Sequence, residues 1–191
     1  MLAKPWATIL LVAACFGVYL ASVLKPTVAA HLVIFNAIDH QWWRPFTAVF
    51  VHTGSGGISV FAGGALQLAT MIGIGIYGWL LERRHGPLVV VVLYLLAGAG
   101  GMVVEAQLDP TPIALGANGL ALGLLCAWAM PDLLAWRHDE DWDGDLLGTG
   151  VIAAVLLLLP LAVPHVSAVA GVTGAVAGLV VGYPLARLTA R

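Results

Sequence analysis

The sequence predicts an all-α integral membrane protein of six transmembrane helices, with a long interfacial loop between the first and the second. Three observations predict it. Of the 191 residues, 61% are hydrophobic and only 9% charged, with a mean hydropathy of +0.98, so charge is too sparse to solvate a globular surface. The apolar residues fall into runs of roughly 20, the length a helix needs to cross a hydrocarbon core. Short polar or proline-bearing connections part the runs. Six crossings use up nearly the whole length, so residues 1–191 are expected to form a single transmembrane domain.

The first crossing is Trp6–Leu24, entered through Lys4-Pro5 and left through Lys25-Pro26. Its position and basic start are those of a secretory leader, but no small-residue cleavage pattern precedes a soluble domain, so it is read as a span. From Pro26 to about Gly57 the apolar pattern is broken by His31, Asn36, Asp39, His40, Gln41 and Arg44, and Trp42 and Trp43 are of the type that collects at membrane interfaces. This stretch is read as the long, half-buried loop. The second crossing, Ile58–Leu81, is apolar except for Ser59, Gln67 and Thr70, and the charged cluster Glu82-Arg83-Arg84-His85-Gly86 closes it. Pro87–Ala106 makes the third, and Asp109-Pro110-Thr111-Pro112 forces a turn because proline cannot continue a helix. Ile113–Leu134 is the fourth, ending in the polar segment Arg137 to Asp145. Leu146–Val163 and Val166 to about Leu188 are the fifth and sixth, parted by Pro164-His165.

Orientation follows from the basic residues. With the N-terminus inside, Lys4, Arg83, Arg84, Arg137, Arg187 and Arg191 are cytoplasmic, against Lys25 and Arg44 outside, which favours both termini on the cytoplasmic side of a bacterial-type plasma membrane. The acidic stretch 139–145 then lies inside as a solvated connection; its spacing is not that of a calcium loop. A net charge of -2 with no Lys/Arg cluster excludes nucleic acid as a partner. The six histidines form no close pair at metal-ligand spacing, and Cys15 and Cys126 sit in apolar runs as small hydrophobes. No metal, disulfide or cofactor is therefore expected. Ionisable residues at mid-membrane, which a pump or ion carrier needs, are nearly missing from the spans.

Three stretches, in order, carry a resemblance to the rhomboid family of intramembrane serine proteases. Trp43-Arg44, Phe46-Thr47 and Phe50-Val51-His52 resemble the family's WR motif and the step into its second helix. Tyr77-Gly78 through Leu81-Glu82-Arg83-Arg84-His85-Gly86, with Tyr94-Leu95-Leu96-Ala97-Gly98 following, is similar to the family's aromatic-Gly and Glu-Arg-Arg-x-Gly pattern. Gly116-Ala117-Asn118-Gly119, with Gly123, resembles the Gly-x-Ser-Gly nucleophile motif. The resemblance covers roughly residues 40 to 185 and implies the family's six-helix core, which matches the span count reached without it.

The resemblance also implies where the chemistry should be. A rhomboid protease is expected to use a Ser on the fourth helix activated by a His on the sixth, since a hydroxyl is a poor nucleophile until a base takes its proton. The Ser position is Asn118 here, a carboxamide with no hydroxyl. Aligning Gly174, Gly178 and Gly182 with the family's sixth-helix glycines puts Gly171 at the His position. The family's oxyanion-holding His and Asn on the second helix, counted back from Glu82, fall at Leu66 and Thr70. His165 lies six residues before Gly171, about 9 Å along a helix, too far to substitute.

Other readings of these residues are blander. The glycines Gly116, Gly119 and Gly123 on one helix, and Gly171, Gly174, Gly178 and Gly182 on the other, have the spacing that lets two helices approach closely in lipid; plain packing of the fourth against the sixth helix is expected, with a dimer through the same glycines as the lesser option. Asn118 is a favoured helix-capping residue. Arg44 beside two tryptophans reads as an interfacial anchor. The leading expectation is a catalytically inactive rhomboid-like protein that binds transmembrane segments of clients, with membrane lipids around it. An active hydrolase with a displaced site, using Ser55, Ser59 or Ser167 with His52 or His165, is the alternative from another class. A small transporter or lipid-handling protein, lined by Gln67, Thr70 and Thr173, is the third.

Overall fold

The computed structural model describes residues 4–35, 41–52, 60–109, 113–139, 141, 144–162 and 166–189. Ser55, Ser59 and His165 lie outside the described residues, as do the acidic-loop residues Glu140 and Asp143. Of Leu66 only the backbone is described.

Helix α1 (Trp6–Leu24) begins the chain's helical order, followed by α2 (Pro26–Leu32) and α3 (Arg44–Ala48). The stretch expected as the second crossing is a continuous helical run in three parts: α4 (Val60–Gly73), a π-helical turn at Ile74–Gly78, and α5 (Trp79–His85). The third repeats the arrangement with α6 (Pro87–Leu93), a π-helical turn at Tyr94–Ala99, and α7 (Gly100–Leu108). Helices α8 (Asn118–Arg137), α9 (Leu146–Ala162) and α10 (Ala168–Thr189) complete it. Among the described residues, Trp6–Leu24, Pro87–Leu108, Asn118–Arg137 and Ala168–Leu188 are long and apolar enough to cross a membrane, and Leu146–Ala162 is a shorter apolar helix. The chain is thus a multi-pass integral membrane protein. Pro131, Pro160 and Pro184 lie inside helices, a cost that neighbouring helices offset in membrane bundles.

Several boundaries differ from the sequence reading, each for a local reason. The loop after α1 is partly helical: Pro26 stands at the first helical position of α2, where its fixed φ is already helical and its missing N–H is not needed. Expected to begin at Ile113, the fourth span instead starts at Asn118. Ile113–Ala114 is extended and forms strand β2, antiparallel to β1 (Ile34–Phe35), with Ile34 opposite Ala114 and Phe35 opposite Ile113. A strand pair two residues long thus sits within the all-α bundle. Gly116 then takes φ +97°, a conformation that side-chain-bearing residues rarely adopt and that no helix passes through. Glu82, in the charged cluster after α4, is 4% exposed. Its carboxylate accepts the Ala7 and Thr8 N–H groups at 2.9 and 2.8 Å and the Thr8 hydroxyl at 2.7 Å. The residue before α1 is Pro5, which has no side-chain cap to offer, so a carboxylate from another helix satisfies the orphan donors and the positive end of the helix dipole.

Helix α8 is the most enclosed span, buried along its first half from Asn118 to Leu125. It packs on α10 through glycines. A Cβ added at Gly174 would overlap the Gly119 backbone, and one at Gly178 the Gly123 backbone; at Gly182 it would lie 2.8 Å from Ala127 Cα. Lipid tails are as apolar as leucine, so close van der Waals contact of this kind, not burial from water, holds the two helices. The other faces of α8 meet both π-helical turns, α4 and α9, while large apolar side chains such as Leu10, Leu88, Leu161 and Val180 point outward from the bundle.

Two stability outcomes follow. Gly174→Ala forces backbone against methyl and should cost about 1–3 kcal/mol, whereas Gly75→Ala, whose Cβ meets nothing within 4 Å, should be close to neutral; thermal unfolding in detergent separates them. Glu82→Gln keeps the shape but removes the charge from the α1 cap, and an unfolding midpoint reduced by the equivalent of about 1–3 kcal/mol is expected.

Candidate functional site

The start of α8 is pinned before it begins. Ala114 and Ile113 pair with β1, Leu115 bridges to Val166 ahead of α10, and the Gly116 N–H donates to the Ala48 carbonyl at 3.0 Å. Asn118 is thereby delivered into the interior, where it is 2% exposed. It does not cap the helix as its residue type suggested. Ala117 occupies the capping position, and both the Oδ1 and the Nδ2 of Asn118 are buried without a hydrogen-bond partner among the described residues. Unpaired buried amides are costly, on the order of 1–3 kcal/mol, and therefore uncommon.

Across from Asn118 stands Gly171. A Cβ placed on Gly171 would lie 2.9 Å from Asn118 Nδ2 and 3.4 Å from Leu122 Cδ1. The two residues that the sequence singled out, 53 positions apart, therefore share one spot between α8 and α10. Around it the backbone is tight: Gly119 would put a Cβ 2.7 Å from the Ala97 carbonyl, and Gly101 one 3.0 Å from the Ala170 carbonyl.

His52 and Thr70 form a second buried pair beside this spot, both 0% exposed. His52 Nδ1 lies 3.1 Å from the Phe50 carbonyl, which only accepts, so Nδ1 carries the proton. Nε2 then accepts from the Ala117 N–H at 3.4 Å and faces the Thr70 hydroxyl at 3.1 Å. Burial pulls the imidazole down to about 4 from its usual 6.5, with the Phe50 hydrogen bond opposing weakly, so His52 is neutral at ordinary pH. The Thr70 hydroxyl also reaches the Gln67 carbonyl at 3.1 Å.

The remaining motif residues secure the frame. Arg44 turns back to donate to the Val33 carbonyl at 2.8 Å, while Trp42 and Trp43 stand exposed, edge to face. Arg83 and Arg84 lie over the rings of Trp79 and Trp128. Gly86, at φ +85°, lets the chain leave α5 and enter α6. Cys15 and Cys126 are free thiols.

Three contacts went unforeseen. Tyr94 donates to the Phe46 carbonyl at 2.7 Å, tying the π-helical turn at Tyr94–Ala99 to α3. Ser167 caps α10 through the Ala170 N–H and donates to Glu105, both at 2.7 Å, so Glu105 is not simply solvated. Thr8 receives Glu82. Only the last left a trace in the sequence, in a helix start preceded by proline and lacking any cap.

Comparison with known proteins adds an independent finding. The rhomboid domain model matches residues 39–188. The chain is 30% identical over 144 residues to RHOMBOID-like protein 1 of Arabidopsis thaliana, covering 75% of this chain and 34% of that protein. It is 29% identical over 147 residues to RHOMBOID-like protein 6, mitochondrial, of the same plant, covering 76% and 44%. To RHOMBOID-like protein 5 it is 30% identical over 150 residues, covering 77% and 45%. The chain thus spans less than half the length of these relatives.

A pH dependence follows from His52, which lies between α3 and α4, outside the spans. Its folded value of about 4 is below the unfolded 6.5, so the unfolded chain binds the proton first. Stability should be full above pH 6.5 and decline as pH falls toward 4. Thermal midpoints in detergent at pH 7.5 and 5 measure it, and the decline should be shallower in His52→Gln.

Proposed function

This chain belongs to the rhomboid family, and on that premise we propose that it is a pseudoprotease: a six-helix membrane scaffold, both termini cytoplasmic, that holds transmembrane segments of client proteins without cutting them. One observation carries the reading: the carboxamide of Asn118 and the bare Cα of Gly171 meet at the place where a rhomboid protease is expected to bring its Ser and its His together, with 2.9 Å between Asn118 Nδ2 and the site of a Gly171 Cβ. Neither residue can abstract a proton or attack a carbonyl. Leu66, at a third expected station, has no donor for an oxyanion, and one missing donor alone costs about 10²- to 10³-fold in rate.

Client binding draws on the same spot. Asn118 holds a free donor and a free acceptor, and an amide inside a bundle can hydrogen-bond a passing helix for roughly 1 kcal/mol. The six-crossing count adds the helical run Val60–His85 and the shorter α9 to the four membrane-length helices. The inside placement of both termini is supported by the distribution of Lys and Arg along the chain.

A second reading, a hydrolase with a displaced site, is favoured by the Thr70 hydroxyl 3.1 Å from His52 Nε2. Burial argues against it: both groups are fully enclosed, and the imidazole is already engaged by the Ala117 N–H. Ser167 is engaged by Glu105 and the α10 start. A transporter would need Gln67 and Thr70 along a polar path, but these two side chains are buried and turned to Met71, His52 and the Gln67 carbonyl.

The test is a cleavage and binding assay in liposomes with a generic rhomboid substrate. The unaltered protein should bind the substrate's transmembrane segment and release product no faster than Asn118→Ala or Thr70→Val. Asn118→Ser with Gly171→His, in which the shorter Ser vacates the volume the His needs, should be the only form with scope to gain turnover. Product from the unaltered protein well above both single variants would overturn the reading, and so would failure to bind the segment.

A further inference from the structure

On the outer surface of the bundle, away from Asn118, α1 and the second crossing enclose an apolar groove of about 490 Å³. Ile9, Val12 and Phe16 line one wall at helical spacing. Met71, Gly75 and Trp79, each four residues apart, line the other over about 12 Å. Gly75 is the notch in that wall, since a Cβ there would meet nothing within 4 Å. The π-helical turn places it: Gly75 belongs to the widened stretch Ile74–Gly78.

One end of the groove is charged. Pro5 and Trp79 line it there, directly beside Lys4 and one turn from Arg83, whose guanidinium stacks on Trp79 with its carbon 5.4 Å from the ring centroid. The Lys4 ammonium lies 5.8 Å from the Trp6 ring centroid. Both cations are exposed. The nearby carboxylate, Glu82, is turned inward onto the α1 start and offers them nothing. The groove's one polar lining side chain, Thr8, is engaged by the same carboxylate. The result is an apolar slot ending in two cations beside aromatic rings, a pattern that suits an anion joined to a hydrocarbon chain.

We propose that this groove is a binding site for an anionic phospholipid, with one acyl chain in the slot between α1 and the second crossing and the phosphate between Lys4 and Arg83. A helix from a client or a second copy fits less well. The closest helix packing in lipid uses stripes of small residues on both faces, and here Gly75 and Ala13 are flanked by Phe16, Met71 and Trp79.

The experiment uses the full chain, purified in a neutral detergent and titrated with phosphatidylglycerol or phosphatidylcholine, with thermal midpoint and native mass spectrometry as readouts. Phosphatidylglycerol should raise the midpoint and bind as one molecule per chain, and phosphatidylcholine should do so much less. Gly75→Leu starts from a Cβ that meets nothing within 4 Å and projects into the notch, so its midpoint without lipid should be unchanged while its affinity for phosphatidylglycerol falls roughly tenfold or more. Lys4→Gln with Arg83→Gln should bind both lipids alike. Equal response of the unaltered protein to the two lipids, or undiminished binding by Gly75→Leu, would overturn the proposal. Conversion of a dimer to a monomer by Gly75→Leu would also overturn it, by assigning the face to a second copy.

Discussion

The contact between α8 and α10 is made backbone to backbone. Gly119 lies against Gly174 and Gly123 against Gly178, so closely that no Cβ fits at either position of α10. In lipid there is no water to expel from between two apolar helices, and association rests on the dispersion gained when surfaces come this near. That requirement fixes both the separation and the register of the two helices. Once Gly174 is seated on Gly119, the residue one turn before it, Gly171, has to face the first residue of α8. The meeting of Asn118 and Gly171 is thus a consequence of the glycine register, not a separate arrangement.

Much of this was readable from residues alone because membrane folding is dominated by a few coarse constraints. Apolar length marks the spans, and glycine periodicity marks the α8–α10 seam; the pairing of Gly171 with Asn118 is what the rhomboid resemblance implies. The start of α8 was less legible. Ile113, Ala114 and Leu115 are as apolar as the helix they precede, and hydropathy cannot tell a buried strand from a helix. What decides is the partner strand Ile34–Phe35 and the positive φ of Gly116, both tertiary facts. The π-helical turns were equally silent, since nothing in Ile74–Gly78 or Tyr94–Ala99 departs from helix-compatible composition. The inward turn of Glu82 was not legible in the charged cluster that closes its helix, and only the uncapped start of α1 explains it.

The buried polar groups divide into two kinds. Glu82, His52 and Thr70 are satisfied, each by partners from another part of the chain, and each ties two elements together: the second crossing to α1, or the interfacial loop to α4 and α8. In a low-dielectric interior such bonds are strong and their loss is expensive. Asn118 belongs to the other kind. Among the described residues its amide is enclosed with both polar atoms unpaired, whereas Ser22, Arg44 and Gln67 each leave a single buried atom open. Buried polar groups left open in this way are carried at a cost, and a site that receives another molecule's donors and acceptors is one setting in which that cost is recovered.

This division explains how the scaffold and the chemistry can part company. None of the contacts that hold the frame requires a particular side chain at 118 or 171. The glycine seam uses Gly119, Gly123, Gly174 and Gly178; the α1 cap uses Glu82; the loop is held by Arg44 on Val33 and Tyr94 on Phe46. A hydroxyl at 118 and an imidazole at 171 would face each other across the same gap and bear no load in the fold. Substitution at 118 breaks none of these contacts, and a side chain at 171 needs only the room that Asn118 now fills. Selection for hydrolysis can therefore lapse at those two positions while the seam stays closed and the interfacial loop stays anchored. The seam then sets the gap between positions 118 and 171 whatever side chains stand there.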